Sequence, residues 1–337
     1  MIETPDLVTK TPRAAAPTDY REALLRDLLS HIRLSGALFL RGHYSAPWGL
    51  DSPGNCDLAD IVSPGAERLL VFHAVRRGRV HVSAKGRTIE AVAGELAILP
   101  HADRHVMGSI DVTEPMQIAM LLPPTPWNEI PVVRVSGGGE EAECVCGYFR
   151  CDELLFNAVL RRLPSIITVR PAGTVAILLD AAIEHALADG SRSGGAIAMA
   201  HLTELLLSEA LRLYAEQSNE ASGWLAAASD PVVGRALKLL HDDPGRDWNA
   251  EDLARAANTS RSVLGERFKS LLGQSPIHYL GEWRMQLAAD LLRSTEFRLA
   301  EIAERSGYGS EAAFSRAFHR HVGASPAQWR ERGRRPQ

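Results

Sequence analysis

Two stretches near the end of this chain repeat one another in register, and the duplication limits what the last hundred residues can fold into. Leu264, Phe268, Gly273, Ser275, Pro276 and Tyr279 recur as Phe314, Phe318, Gly323, Ser325, Pro326 and Trp329, each 50 residues on. Ahead of them the offset is 49, with Leu253 and Ala254 matching Ile302 and Ala303, so the second copy holds one more residue in its turn. Each copy reads as a short helix, a tight turn and a second helix. Phe314 and Phe318 sit four apart and share a helix face, as do Leu264 and Phe268. Gly307 gives the turn the positive φ that a Cβ would penalise. Ser260 and Ser310 are N-caps, and Asn249 caps the helix before the first turn. Pro276 to Arg293 reads as one helix between the copies, carrying Ile277, Leu280, Leu287 and Leu291. It spans about 27 Å at 1.5 Å per residue, close to the ~34 Å of one DNA turn, a length that lets two helices reach successive major grooves.

The net charge of −4 carries no sign of nucleic acid, but its distribution does. Asp230 to Gln337 holds 17 Lys+Arg against 14 Asp+Glu, whereas the remainder holds 20 against 27. From Ser260 onward the balance is 13 against 8. An acidic front and a basic tail fit a sensor joined to a nucleic-acid reader. A chain of 337 residues has the length of two or three domains. No apolar run reaches the roughly 20 residues of a membrane helix. Residues 1–19 have no apolar core of a secretory signal and read as a disordered leader. Cys56, Cys144, Cys146 and Cys151 are too few for a disulfide scaffold, which points to a reducing cytoplasm.

Tyr20 to His31 reads as a helix, with Leu24, Leu25, Leu28 and Leu29 at helical spacing. From Gly36 the pattern changes. Residues 37–40, 68–75, 79–82, 96–99 and 116–122 are short β-prone runs. Ser52-Pro53-Gly54-Asn55, Ser63-Pro64-Gly65, Arg77-Gly78, Lys85-Gly86 and Ala93-Gly94-Glu95 are turn signals between them. Many short strands so spaced predict an antiparallel β-barrel or jelly roll. Helices are expected over Cys151–Leu163, Thr174–Asp189 and Ala196–Glu216, the last with Leu202, Leu205, Leu206, Leu213 and Tyr214 as its apolar stripe. That stripe either covers the domain's own core or meets a second copy. Ser218 to Ser229 reads as a linker. The fold class expected is α+β: a barrel in front, a helical connector, and an all-α C-terminal region with two helix-turn-helix units.

Gly307-Tyr308-Gly309-Ser310, Phe314-Ser315-Arg316-Ala317-Phe318 and Gly323-Ala324-Ser325-Pro326 with Trp329-Arg330 closely resemble the C-terminal signature of the AraC/XylS family of bacterial transcription regulators. The resemblance covers Asp230 to Arg332. The front resembles the cupin-like sensor domain of one branch of that family. It does so at Phe72-His73, Ala93-Gly94-Glu95-Leu96, Leu99-Pro100 and His105, then at Val145-Cys146-Gly147 and Leu163-Pro164. It implies a cupin-like sensor domain over residues 20–150, a connector and dimerisation region over 151–222, and a DNA-binding domain over 223–337.

The resemblance also implies two DNA-facing sets. In the second unit these are Glu311, Ala312, Ser315, Arg316 and His319. A guanidinium pairs bidentately with guanine, which makes Arg316 the candidate base reader; Ser315 and His319 suit phosphates, which position rather than specify. In the first unit they are Arg261, Ser262, Gly265, Glu266 and Lys269. Gly265 has no side chain to read with and weakens its helix by roughly 1 kcal/mol relative to Ala. Glu266 can accept from a cytosine amine but is repelled by phosphate.

The front region offers other chemistry. His43, His73, His81, His101 and His105 are the imidazoles that could ligate a metal, yet no His-x-His with a following Glu is present, and no metal or cofactor is expected. His73 and His105 are instead candidate hydrogen-bonded residues facing an effector. Cys56, Cys144 and Cys146 are candidates for a thiol switch, which needs an exposed thiol of low pKa and a resolving partner; inert buried cysteines are the alternative. No nucleophile motif, Walker loop or dinucleotide fingerprint is present. The function expected is a cytoplasmic, non-enzymatic transcription activator controlled by a small molecule or an oxidant. Its expected partners are promoter or operator DNA, RNA polymerase and a second copy of the chain. The rival is a metal-dependent cupin enzyme with a DNA-binding tail.

Overall fold

Strand β3 (Arg68–Arg77) organises the front of the molecule, because its alternating side chains serve two different cores. Leu70, Phe72 and Ala74 pack into one apolar cluster, and Leu69, Val71 and Val75 into another. A strand covered on both faces reads as a continuous apolar run, which is why Leu69 through Val75 are all buried. A computed structural model of the chain describes residues 17–30, 34–151 apart from 67, 113, 125, 126 and 128, then 163–189, 207, 209–214 and 223–334.

The strands form two sheets. Besides β3 they are β1 (Leu34–Ser45), β2 (Gly49–Ser52), β4 (Arg79–Ala84), β5 (Arg87–Val92), β6 (Leu96–Leu99), β7 (His105–Gly108), β8 (Met116–Gln117), β9 (Val132–Ser136), β10 (Glu141–Cys151) and β11 (Ile167–Val169). One sheet runs β11-β6-β3-β10-β1-β9 and the other β5-β4-β7-β2-β8. Of the expected antiparallel barrel or jelly roll, the described residues form the two sheets of a cupin region and no closed barrel. Two strand pairs, β1 with β9 and β2 with β8, are parallel. Each joins segments far apart in sequence, a pairing that local turn signals do not reveal. The 116–122 run is strand only at its start; residues 118–120 turn into a 3-10 helix.

Helices α1 (Pro17–Ser30), α2 (Asn55–Val62) and α3 (Gly173–Asp189) accompany the sheets. The predicted helices over 151–163 and 196–216 fall largely outside the described residues. The C-terminal region holds α4 (Trp224–Ser229), α5 (Val233–Asp242), α6 (Ala250–Ala256), α7 (Arg261–Leu272), α8 (Pro276–Ser294), α9 (Leu299–Arg305), α10 (Glu311–Val322) and α11 (Pro326–Arg334). The stretch read as a linker over 218–229 contains α4, whose Trp224 is buried; an indole of that size contributes enough apolar burial to seat an alanine-rich turn. Leu24, Leu25 and Leu28 are buried as their spacing predicts, but α1 packs against α4 and α5.

The duplicated units are held by two cores. Leu253, Ala254, Leu264, Phe268 and Leu272 join Tyr279, Leu280 and Trp283 of α8. Ile302, Ala303, Phe314, Phe318 and Trp329 join Met285, Ala288, Ala289 and Leu292 from the other half of α8. The long helix is thus a strut whose two halves belong to different cores.

Candidate nucleic-acid interface

Each unit presents its second helix by the same local chemistry. Ser260 Oγ accepts from the Val263 N–H at 3.2 Å, and Ser310 Oγ accepts from the Ala313 N–H at 3.2 Å. Both helices then run 12 residues and end on a left-handed glycine, Gly273 or Gly323. The turns also match. Tyr308 N–H donates to the Ala303 carbonyl at 2.8 Å, as Thr259 N–H does to Ala254 at 2.9 Å. Asn258 takes at φ 57° the left-handed position that Gly307 takes at 73°. The one-residue difference is Gly309, inserted just before the second N-cap. Aromatic packing repeats as well: Phe268 meets Tyr279 edge-on at 5.8 Å, and Phe318 meets Trp329 edge-on at 6.3 Å.

With Leu264, Phe268 and Leu272 facing inward on α7, Arg261, Ser262, Glu266 and Lys269 are exposed and Gly265 is half-buried. On α10, Phe314, Ala317 and Phe318 face inward; Glu311, Ala312, Arg316 and His319 are exposed and Ser315 is half-buried. The ten residues predicted to face DNA thus lie on outward faces of the two equivalent helices. Neighbouring cations are committed elsewhere: Arg267 pairs with Asp230 at 2.9 Å, Arg255 with Asp252 at 3.1 Å and Arg305 with Glu301 at 3.0 Å. Among the described residues Arg261, Lys269 and Arg316 have no ion-pair partner. Their charge is available to a polyanion.

In the front region the five histidines do not converge. His43 lies 3.9 Å from Glu143, His81 lies 3.3 Å from Glu90, and His101 Nε2 lies 2.9 Å from the Leu163 carbonyl. Among the described residues no group of three or more His, Cys, Asp or Glu is placed to hold a metal ion. His73 and His105 do meet, Nε2 to Nε2 at 2.9 Å, and His73 Nδ1 lies 2.9 Å from Cys146 Sγ. Cys146 is the direct cross-strand partner of His73, so both point into the space between the sheets. His105 Nδ1–H donates to the Asp103 carbonyl at 2.9 Å, which leaves Nε2 to accept from His73 Nε2–H, and His73 Nδ1 to accept from the thiol. Burial, reinforced by the His105 ring, holds His73 well below its ordinary pKa. Burial also lowers His105, opposed by the Asp103 carbonyl and the Asp51 and Asp103 carboxylates. Cys144 and Cys146 are buried and their thiols are pushed up by desolvation. Of the two alternatives for these residues, such burial fits inert cysteines, since a redox cysteine needs an exposed thiolate. Cys56 alone of these three is exposed, on α2.

A cupin family model matches residues 23–216 and a helix-turn-helix domain model matches residues 253–332. A protein of Streptomyces lividans described as an AraC-like transcription regulator is 37% identical over 79% of this chain and 88% of its own. This chain belongs to the AraC family of transcription regulators. The HTH-type transcriptional regulator MtrA of Neisseria gonorrhoeae is 29% identical over 78% of this chain and 86% of its own. The crystal structure of the AdpA DNA-binding domain in complex with a target DNA matches 32% of this chain and 98% of that one, at 34% identity and a TM-score of 0.30. As an AraC-family member the protein is a DNA-binding transcription regulator rather than an enzyme. Among the described residues no helix is long and apolar enough to cross a membrane.

Proposed function

We propose that α7 and α10 are two recognition helices that enter successive major grooves on one face of promoter or operator DNA. The observation that carries this reading is the duplicated, identically capped pair of helices with Arg261, Lys269 and Arg316 outward and unpaired. Arg316 reads a base, while Ser315, His319 and Lys269 hold phosphates. The α8 strut, about 28 Å long by its 19 residues, supports one helix at each end. In this reading the front cupin region senses the signal, residues 151–222 connect it to the reader and pair two copies, and the reader acts as an activator in contact with RNA polymerase. A small molecule suits that region better than an oxidant, because the Cys144 and Cys146 thiols are buried and protonated.

The test is binding of the full-length protein to DNA upstream of its own and neighbouring genes, across a salt series, with unrelated duplexes as competitors. Sequence-preferring binding that weakens steeply with salt is expected. Equal binding to every duplex, or none, sinks the proposal. A transcription assay on the bound DNA with purified polymerase separates activation from repression.

A further inference from the structure

Arg284 stands where the two duplicated units meet. It lies midway along α8, between Trp283, which belongs to the core of the first unit, and Met285, which belongs to the core of the second. Its Nε–H donates to the Pro244 carbonyl at 2.7 Å, and its Nη2–H donates to the Arg246 carbonyl at 2.8 Å. Both acceptors are in the loop joining α5 to α6, within the first unit. That loop is itself braced. The Trp248 N–H donates to the same Arg246 carbonyl at 2.8 Å, the Trp248 indole donates to Asp243 at 3.0 Å, and the Arg246 guanidinium lies 3.9 Å over the Trp248 ring.

On its other side the Arg284 guanidinium lies against the turn of the second unit. A Cβ built on Gly307 would stand 2.6 Å from Nη2 and 2.9 Å from the Gly245 carbonyl oxygen, at a φ of +73°. Glycine alone suits both the left-handed backbone and that approach. One side chain therefore touches the loop that leads into the first reader and the turn that opens the second. A planar guanidinium bonded to two carbonyls has its orientation fixed, which a single-point ammonium would not achieve.

We infer that Arg284 is a positioning residue that fixes the separation and angle of α7 and α10, and thereby the number of base pairs the protein requires between the two segments it reads. The inference rests on the two-reader proposal above. It has a geometric consequence, because each base pair added or removed shifts a segment by about 3.4 Å and turns it by about 35° around the duplex. A rigid pair of readers cannot follow that change, and a loosened pair can.

The experiment uses the full-length protein and the duplex it selects from a pool of randomised double-stranded DNA. Derivatives of that duplex carry one base pair inserted or one removed between the two read segments, or keep one segment and scramble the other. Wild-type protein is expected to lose roughly tenfold in affinity when the spacing changes. Arg284→Ala is expected to bind the selected duplex more weakly but to lose less than about twofold further on a spacing change, while matching wild type on the single-segment duplex. Arg284→Lys keeps the charge without the fork and is expected to fall between them; it carries the same comparison if Arg284→Ala does not fold. A spacing penalty in the variants equal to that of wild type overturns the inference. So does a uniform loss on every duplex, the single-segment one included, which is what a merely structural role would give. If wild-type protein selects no sequence, the two-reader proposal itself fails; selection with an unchanged spacing penalty in the variants removes the role of Arg284 alone.

Discussion

The Asp27 carboxylate accepts a hydrogen bond from the His241 Nδ1–H at 2.6 Å, across 214 residues of sequence. His241 Nε2 lies 2.7 Å from the Tyr279 hydroxyl, and the Trp224 indole N–H donates to that hydroxyl at 3.2 Å. One proton arrangement satisfies the whole chain: indole to hydroxyl, hydroxyl to imidazole, imidazole to carboxylate. The imidazole also stacks on Trp283 with ring centroids 4.1 Å apart. These contacts join α1, the first described helix, to the α8 strut. Asp27→Ala removes the acceptor of a buried ring N–H and is expected to cost about 1–3 kcal/mol, while Asp27→Asn keeps an oxygen there and should cost less. Urea unfolding checks this, and equal midpoints for wild type and Asp27→Ala would count against the bridge.

The His73–His105 pair predicts an acid-sensitive fold. Both rings are held neutral: a proton added to His105 would set N–H against N–H across the 2.9 Å contact with His73, and one added to His73 would set its Nδ1–H against the Cys146 thiol at 2.9 Å. A histidine whose folded pKa is depressed binds fewer protons when folded than when unfolded. Its contribution is fully present above the ordinary value of 6.5 and is lost as pH falls below it. Each such ring gives a slope of up to about 1.4 kcal/mol per pH unit in that window. Stability measured by urea midpoint at pH 7.5, 6.5 and 5.5 should fall toward acid, and His105→Gln should flatten the fall. An identical slope in the variant would show that other groups carry it.

Thiol accessibility follows from the same interior. At mildly alkaline pH an alkylating reagent is expected to modify Cys56 in the native protein while Cys144 and Cys146 stay protected, because burial keeps both as thiols. Peptide mapping before and after denaturation reads this out. Native labelling of Cys146 at the rate of Cys56 would mean that the inter-sheet core opens readily.

The duplicated reader was legible in the sequence because its signals are local: a cap, a glycine and two aromatics at fixed offsets specify each unit without reference to the rest of the chain. The outward placement of Arg316 follows once Phe314 and Phe318 are seen to point inward. The front region was legible as β-rich and, by resemblance, as cupin-like, but not in its sheet order. Its sheet order depends on β1 meeting both β10 and β9, long-range pairings with no counterpart in adjacent turns. Arg284 carried no signal either, since an arginine amid a helical run looks like a solvated face until the α5–α6 loop folds over it. Trp224 was the clue missed in the supposed linker.

Gly265 tests whether the weak first reader is a backbone compromise. It lies in the interior of α7, and a Cβ added there would meet open space. Gly265→Ala is therefore expected to stabilise the protein by roughly 0.5–1 kcal/mol through the lower entropy cost of ordering alanine in a helix. Thermal unfolding should show a raised midpoint. A lowered midpoint would mean that the glycine serves the native backbone in a way its helical position does not suggest.

Arg316 and Lys269 should part company on DNA. Both are exposed cations on equivalent helices, so a purely electrostatic account treats them alike. A guanidinium reads guanine with two hydrogen bonds and is lost selectively, whereas an ammonium against phosphate is lost uniformly. Arg316→Ala is expected to reduce the preference for the selected duplex by about 1–3 kcal/mol while leaving binding to unrelated DNA largely intact. Lys269→Ala should weaken binding to every duplex and lower the slope of log affinity against log salt by about one phosphate's worth, near 0.9. Competition titrations over a salt series measure both quantities at once. If Arg316→Ala instead lowers affinity equally on all sequences with a matching drop in slope, Arg316 belongs to the phosphate-positioning set, and base reading in the second unit must fall to Glu311 or His319.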